Sequence, residues 1–251
     1  MAAPRTEGLA IEADARLGCM ALLEQVQGCK APSRAGEVAK VKAWCDEQIA
    51  FIEPQLSYVR ALREAIPDDG ILVSELTQIG YASSFAYPVY EPRTFITPGY
   101  QGTLGYGFAT GLGVALGNPG KAVVSINGDG GFGWNLQELA TAAKYGANLV
   151  TVVFADGAFG NVKRIQSNVF QREIGTTLHN PDFVKLAEAF GVNATRVDSP
   201  QGLQSAVTSA LRAGGPALIE VTVQAMPGPW HLIHTFSKAP RVAPPNPLGD
   251  R

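Results

Sequence analysis

AVVSINGDGGFGWNLQELATAAKYGANLVTVVFADGAFGNVKRIQ, from Ala122 to Gln166, is the stretch that decides the fold. An apolar run, Val123 to Ile126, ends in Gly128-Asp129-Gly130-Gly131. A helix-like segment follows, then a second apolar run, Leu149 to Phe154, which ends in a second acidic turn at Asp156-Gly157. Two parallel strands joined by a helix bring their carboxyl ends to one edge of a sheet, where open α/β folds bind ligands. Asp129 and Asp156 are therefore expected side by side at that edge, next to a helix start. Two carboxylates suit a hard divalent cation, and the N–H groups of a helix start suit phosphate. The residues alone point to a magnesium-diphosphate site.

Outward from this stretch the pattern of alternating elements continues. Upstream, Ile71-Leu72-Val73-Ser74 reads as a strand after the turn sequence Pro67-Asp68-Asp69-Gly70. Downstream, Pro181 to Phe190 reads as a helix with Asn180 as its N-cap and Pro181 at its first position. Thr195-Arg196-Val197 is a short strand, Ser199 caps a helix running through Leu211, and Ala217 to Val223 is a closing strand. Strands alternating with helices imply an α/β domain, a mostly parallel sheet with helices on both faces. Before it lie three helical patterns, at about 11 to 27, 37 to 52 and 55 to 65, with a linker at Gly28 to Gly36. The expected organisation is a helical segment at 1–66, the α/β domain at 67–226 and a proline-rich arm at 227–251.

The stretch closely resembles the cofactor motif of the thiamine-diphosphate enzymes, a Gly-Asp-Gly followed some two dozen residues later by Asn-Asn. Here Gly128-Asp129-Gly130 is followed at that distance by Ala155-Asp156, and Leu112-Gly113, Pro119, Val124 and Ile126 fit the positions before Gly-Asp. PRTFITPGYQGTLGYGFATGLGVALG, Pro92 to Gly117, looks like the glycine-rich stretch of that family leading into a helix. The likeness covers about residues 60 to 226 and is best to the acetolactate synthase and benzoylformate decarboxylase group of decarboxylases and carboligases. It implies Mg²⁺ held by Asp129, by Asp156 and by the backbone carbonyl of Ala158. It implies N–H groups of Gly130 and Gly131 offered to the diphosphate, with no side chain to obstruct close approach. Leu104 would sit beneath the cofactor and hold its two rings in a bent V, and the Gly102 carbonyl would accept from the exocyclic amine of the pyrimidine. Gln78 aligns with a polar residue near the diphosphate.

Two departures from the family pattern stand out. Ala155 replaces the first Asn and removes a side-chain hydrogen-bonding group; Asp156 replaces the second and adds a negative charge. Oxygen ligands of either kind suit Mg²⁺, so coordination survives while the charge balance shifts. The resemblance also defines what is missing. In the family a Glu from a pyrimidine-binding domain, contributed across a subunit interface, activates the cofactor for attack on a 2-oxo acid, and 251 residues leave room for one α/β domain and a modest appendage. Two readings stay open. One is the diphosphate-binding portion of a 2-oxo acid decarboxylase or carboligase, completed by a pyrimidine-binding chain or by a homo-oligomer. The other is a non-catalytic cofactor-binding or interaction module.

Composition bounds the partners. A net charge of −2, with 46% apolar and 17% charged residues, gives no reason to expect nucleic acid or an anionic membrane surface. Cys19, Cys29 and Cys45 show no metal spacing and read as reduced thiols of a cytoplasmic protein; no secretory signal or membrane span is apparent. Gly105-Tyr106-Gly107 imitates a dinucleotide fingerprint, but Thr110 stands at the third-glycine position and no strand directly precedes it. Lys163 and Arg164 read as solvated basic residues, and His231 and His234 as surface histidines of the arm.

Overall fold

The computed structural model describes residues 11–228 and 247–249. Their chain divides into two compact units, 1–46 with 244–251, and 47–243. In the first, α1 (Ala15–Gln25) starts at Asp14, whose Oδ1 accepts the N–H of Arg16 and Leu17 at 3.1 and 3.2 Å. No residue of α1 is buried, nor any of α2 (Ala35–Ile49). The proline-rich arm expected at 227–251, with His231 and His234, lies almost wholly outside the described residues.

The second unit is built on one six-stranded sheet. β1 (Ile71–Ser74), β3 (Val123–Gly128), β4 (Leu149–Ala155) and β6 (Ala217–Thr222) form its centre, with β2 (Phe95–Ile96) and β5 (Asn193–Val197) at the edges. The order is β2-β1-β3-β4-β6-β5 and every pairing is parallel. The fold expected from the sequence is thus the one observed. The central strands are apolar almost throughout because a parallel sheet is covered on both faces, and β4 is buried at every residue from Leu149 to Phe154.

Successive residues alternate between the two cores. Val124 and Ile126 face α3 (Gln55–Ala65), α4 (Gln78–Ala86) and α10 (Pro200–Ala213), among Leu62, Ile79, Leu203 and Val207. Val123 faces the opposite layer of α5 (Tyr106–Gly117), α7 (Leu139–Tyr145) and α9 (Phe183–Ala189), among Phe108, Phe132, Leu139 and Phe183. α3 belongs by its packing to this sheet: Tyr58, Val59 and Leu62 lie in its core, and Tyr58 meets Phe154 edge-on at 5.4 Å between centroids.

Two local expectations are corrected. The segment between β3 and β4 is broken into α6 (Asp129–Phe132), a 3₁₀ turn at Leu136–Glu138 and α7. Glycines at 130, 131 and 133, followed by Asn135, weaken a continuous helix there. The helix expected at Pro181 starts at Phe183 with Asp182 as its N-cap, accepting from Lys185 N at 3.2 Å; Asn180 is engaged elsewhere. The Ser199 cap with Pro200 behind it stands as expected, with Ser199 Oγ accepting from Gly202 N at 3.2 Å.

Because Leu62 is fully buried between α3 and the sheet, Leu62→Ala should cost roughly 2–5 kcal/mol of unfolding free energy. Urea denaturation measures it. A loss below about 1 kcal/mol would place α3 outside the cooperative unit.

Candidate functional site

The strand order sets the position of the site. From β1 the chain crosses outward to β2 on one side, whereas β3 and β4 follow on the other. This divergence leaves a crevice beyond the carboxyl ends of β1 and β3, the place where open α/β sheets bind ligands. A cavity of about 720 Å³ opens there. Gln78, Gly102, Leu104, Asp129, Gly130, Gly131, Asp156 and Ala158, all eight of the residues singled out from the sequence, line it.

The parallel register brings the two acidic turns together. Gly128 of β3 is opposite Phe154 of β4, so Asp129 and Asp156 each follow the end of an adjacent strand. Asp129 is 3% exposed, and both of its carboxylate oxygens accept hydrogen bonds. Its Oδ1 accepts from Gly130 N at 2.8 Å, and its Oδ2 accepts from Gly157 N and Asn180 Nδ2, both at 2.7 Å. Asn180 is a site residue that the sequence reading assigned to a helix cap. Asp156 accepts from Ala158 N at 3.1 Å through Oδ1 and from Gln78 Nε2 at 2.9 Å through Oδ2. Gln78 opens α4, and its Oε1 accepts from Met226 N at 2.8 Å, tying the second acidic turn to the chain beyond β6.

Two carboxylates share this edge. Burial raises the Asp156 carboxyl above its ordinary value, and the charge of Asp129 raises it further. Among the described residues no group of three or more His, Cys, Asp or Glu side chains is arranged to hold a metal. Two carboxylates are too few to satisfy Mg²⁺, so a cation here needs oxygen from the backbone and from a bound ligand. The Ala158 carbonyl suits that need. The bridge between Ala158 and Thr177 uses Phe159 N to Thr176 O at 2.9 Å and Leu178 N to Gly157 O at 2.8 Å, and so leaves the Ala158 carbonyl out. The donor set fits a dication bridged to a phosphate-bearing ligand.

The glycines have a second explanation that the sequence did not supply. A Cβ on Gly130 would lie 2.5 Å from Phe159 Cε1, and one on Gly131 would lie 2.2 Å from Glu75 Oε1. A side chain at either position would force Phe159 or Glu75 to move, whatever the ligand requires. Across the cavity, the 102–105 turn needs left-handed backbone at Gly102 and Gly105, with φ of 56° and 80°. Leu104, between them, is 44% exposed and presents its apolar side chain to the cavity. Lys163 and Arg164 also line the cavity, where solvated basic residues were expected. Arg164 donates to Asn161 Oδ1 at 2.9 Å, and Lys163 Nζ lies 3.7 Å from Glu173 Oε2.

Glu75 is the acidic group that sequence reading missed. It follows β1 directly and is 2% exposed; Oε1 accepts from Gly105 N at 2.7 Å, while Oε2 has no hydrogen-bond partner. Burial pushes its carboxyl up from 4.5 to about 7, against the pull of the Gly105, Gly107 and Tyr106 N–H groups. No charged side chain acts on it from β1, α5 or α6. The signal for it was present, since an acid directly after an apolar strand is what marked Asp129 and Asp156.

Comparison with known proteins adds the following. Residues 77–221 match the profile of the thiamine pyrophosphate enzyme, C-terminal TPP binding domain. The chain is 33% identical over 168 residues to an acetolactate synthase of Bacillus subtilis, covering 67% of this chain and 30% of that protein. It is 32% identical over 226 residues to a probable 2-ketoarginine decarboxylase of Pseudomonas aeruginosa, covering 85% of this chain and 39% of that protein. A solved thiamine diphosphate-dependent 4-hydroxybenzoylformate decarboxylase from Rhodococcus jostii RHA1 superposes with a TM-score of 0.63 at 29% identity, over 68% of this chain and 32% of that one. The chain spans about a third of the length of these relatives.

The Glu75 carboxyl makes stability depend on pH with a definite sign. The folded chain keeps a proton that the unfolded chain releases at about 4.5, so stability falls as pH rises from about 4.5 to about 7 and levels off above. At 1.36 kcal/mol per pH unit the loss is of the order of 3 kcal/mol. Glu75→Gln should remove that part of the slope, as read from denaturation midpoints between pH 4.5 and 8. A slope identical in the variant would show that Glu75 ionises freely in the fold.

Proposed function

We propose, from the premise that this chain belongs to the thiamine pyrophosphate enzymes and carries their C-terminal TPP-binding domain, that it holds thiamine diphosphate with Mg²⁺ as the diphosphate-binding portion of a 2-oxo acid decarboxylase or carboligase. The observation that carries this reading is the cavity at the switch point, where the Asp129–Asp156 pair, the Ala158 backbone and the Gly102–Leu104 turn converge.

Each residue has a task the geometry permits. Asp129 and Asp156, with the Ala158 carbonyl, would ligate the metal. The hydrogen bond from Gln78 would keep the Asp156 carboxylate aimed at it. The backbone of Gly130 and Gly131 at the start of α6 would face the diphosphate, and the positive end of that turn favours negative charge. Leu104 would support the rings from below while the Gly102 carbonyl orients the amine. When bound, thiamine diphosphate supplies the electron sink that 2-oxo acid decarboxylation requires.

The chain would not complete such a site by itself. Among the described residues, the carboxylates lining the cavity are Asp129, Asp156 and Glu173, and Glu173 is held by Ser167 Oγ at 2.5 Å and by Lys163. The activating acid would therefore come from a pyrimidine-binding chain or from a second copy. Tyr100, Trp134, Val169 and Phe170, each more than 60% exposed, offer apolar surface for such a partner. The same shortage of a spare acid favours the second reading, a cofactor-binding module without a reaction of its own. No helix among the described residues is long and apolar enough to cross a membrane. The cysteines are free and exposed, which supports a reducing, cytoplasmic setting.

Thermal unfolding with Mg²⁺ and thiamine diphosphate, separately and together, tests the reading. Together, at about a hundred times the dissociation constant, they should add roughly 2.7 kcal/mol of stability. Either alone should add much less, and Asp129→Ala should abolish the joint effect. An Asp129→Ala chain that keeps full affinity would overturn the metal assignment.

A further inference from the structure

Glu75 is the buried titratable group that this reading leaves without a task. It stands at the switch point, yet it does not reach the cavity: Leu76, Thr77 and Gln78 line it, and Glu75 lies behind them. Its side chain runs along the back of both cavity walls. On one wall its Oε1 accepts from Gly105 N at 2.7 Å, and its Cβ lies 3.0 Å from where a Cβ on Gly107 would be. On the other wall its carboxyl rests against Gly131, with Oε1, Cδ and Oε2 at 2.2, 2.5 and 2.6 Å from the position of a Cβ there. The Gly105 peptide group is gripped at its other end too, because Asn135 Nδ2 donates to Gly105 O at 2.6 Å. These two bonds fasten a turn with left-handed backbone at Gly99, Gly102 and Gly105 to the segment that carries Asp129, Gly130 and Gly131.

We propose that Glu75 is a positioning residue of the cofactor site, a buried strut whose carboxyl spans from the Gly105 N–H to Gly131 and fixes the separation of the two backbone walls that receive thiamine diphosphate. The proposal rests on the cofactor reading above. It explains why a long side chain ending in an acceptor oxygen stands at this buried position. Of the polar side chains only a carboxyl or a carboxamide combines this length with an acceptor oxygen at its end. It also explains why Gly131 must lack a side chain: the strut occupies that space. A side chain shorter by one methylene would draw the carboxyl away from both contacts. A carboxamide of equal length keeps the acceptor.

The test uses the full chain and its Glu75→Gln, Glu75→Asp and Glu75→Ala variants. Two quantities are measured: amide exchange at Gly105 without ligand, and calorimetric affinity for thiamine diphosphate in excess Mg²⁺. Glu75→Gln should stay within about threefold of the unsubstituted chain in both, because the hydrogen bond survives. Glu75→Asp should lose at least about tenfold in each, because the bond to Gly105 is broken and the walls shift. In the Glu75→Ala background, Gly131→Ala should cost far less affinity than it does alone, since contacting residues couple. Unchanged Gly105 exchange in Glu75→Asp, or affinity indifferent to that substitution, would overturn the strut. An unsubstituted chain that binds no cofactor would overturn the functional reading instead, and the exchange measurement would still decide the strut.

Discussion

The Asp129 carboxylate is the joint on which this site depends. Its three accepted hydrogen bonds come from Gly130, Gly157 and Asn180, so one side chain ties the turn after β3 to the turn after β4 and to the loop before α9. Charge-assisted bonds from backbone N–H groups are what make a buried carboxylate tolerable. They also fix its two oxygens in direction. Without that joint, the register of β3 and β4 would still bring the two turns near each other, but nothing would hold their backbones in a common geometry. Asp156 adds the second carboxylate to a frame that Asp129 has already set.

The cost of this arrangement is a concentration of negative charge. Glu75, Asp129 and Asp156 all gather at the carboxyl edge of β1, β3 and β4. Each solves the problem differently. Asp129 is surrounded by donors. Glu75 is lifted to about 7, so it can carry a proton at neutral pH. Asp156 is raised by burial and by its neighbour, against the pull of the Ala158 N–H, Gln78 and its own backbone N–H. An anionic diphosphate beside two carboxylates is unfavourable unless a dication stands between them. Oxygens already held in direction by these hydrogen bonds would cost little to reorient if a cation bound there.

Much of this was legible in the sequence, for identifiable reasons. Apolar runs of four to seven residues ending in acid-glycine turns located β3, β4 and the edge where the two acids meet, and fully buried parallel strands give the strongest such signal. The edges were harder to read. β2, two residues long, was not read, and β5 was read only over residues 195–197, because it is largely exposed and its hydrophobic pattern is weak. Asn180 was misread because Asn before Pro fits a helix cap locally, while its real partner, Asp129, lies 51 residues away. That Lys163 and Arg164 border the cavity was hidden for the same reason: position beside a cavity wall is a property of the fold and leaves no mark on a charged residue's neighbours in sequence.

The glycines show how a correct residue can carry an incomplete reason. Gly130 and Gly131 lie where a diphosphate would approach, and access for a ligand was reason enough to single them out. In the folded chain Phe159 closes the space at 130 and Glu75 closes it at 131. Both demands act on the same atoms, one from the cavity and one from behind it. A glycine-rich motif can therefore persist for packing after its ligand is gone, and the motif alone does not distinguish the two cases. The acids do distinguish them. Apolar packing at the end of a buried strand is better served by apolar side chains, because a buried carboxyl is unfavourable for the fold unless something repays its charge. Two paired carboxylates lining one cavity, with a third held behind it at the cost of an elevated proton affinity, are features that stability by itself does not require. They are what a cation and a phosphate-bearing ligand at this edge would need.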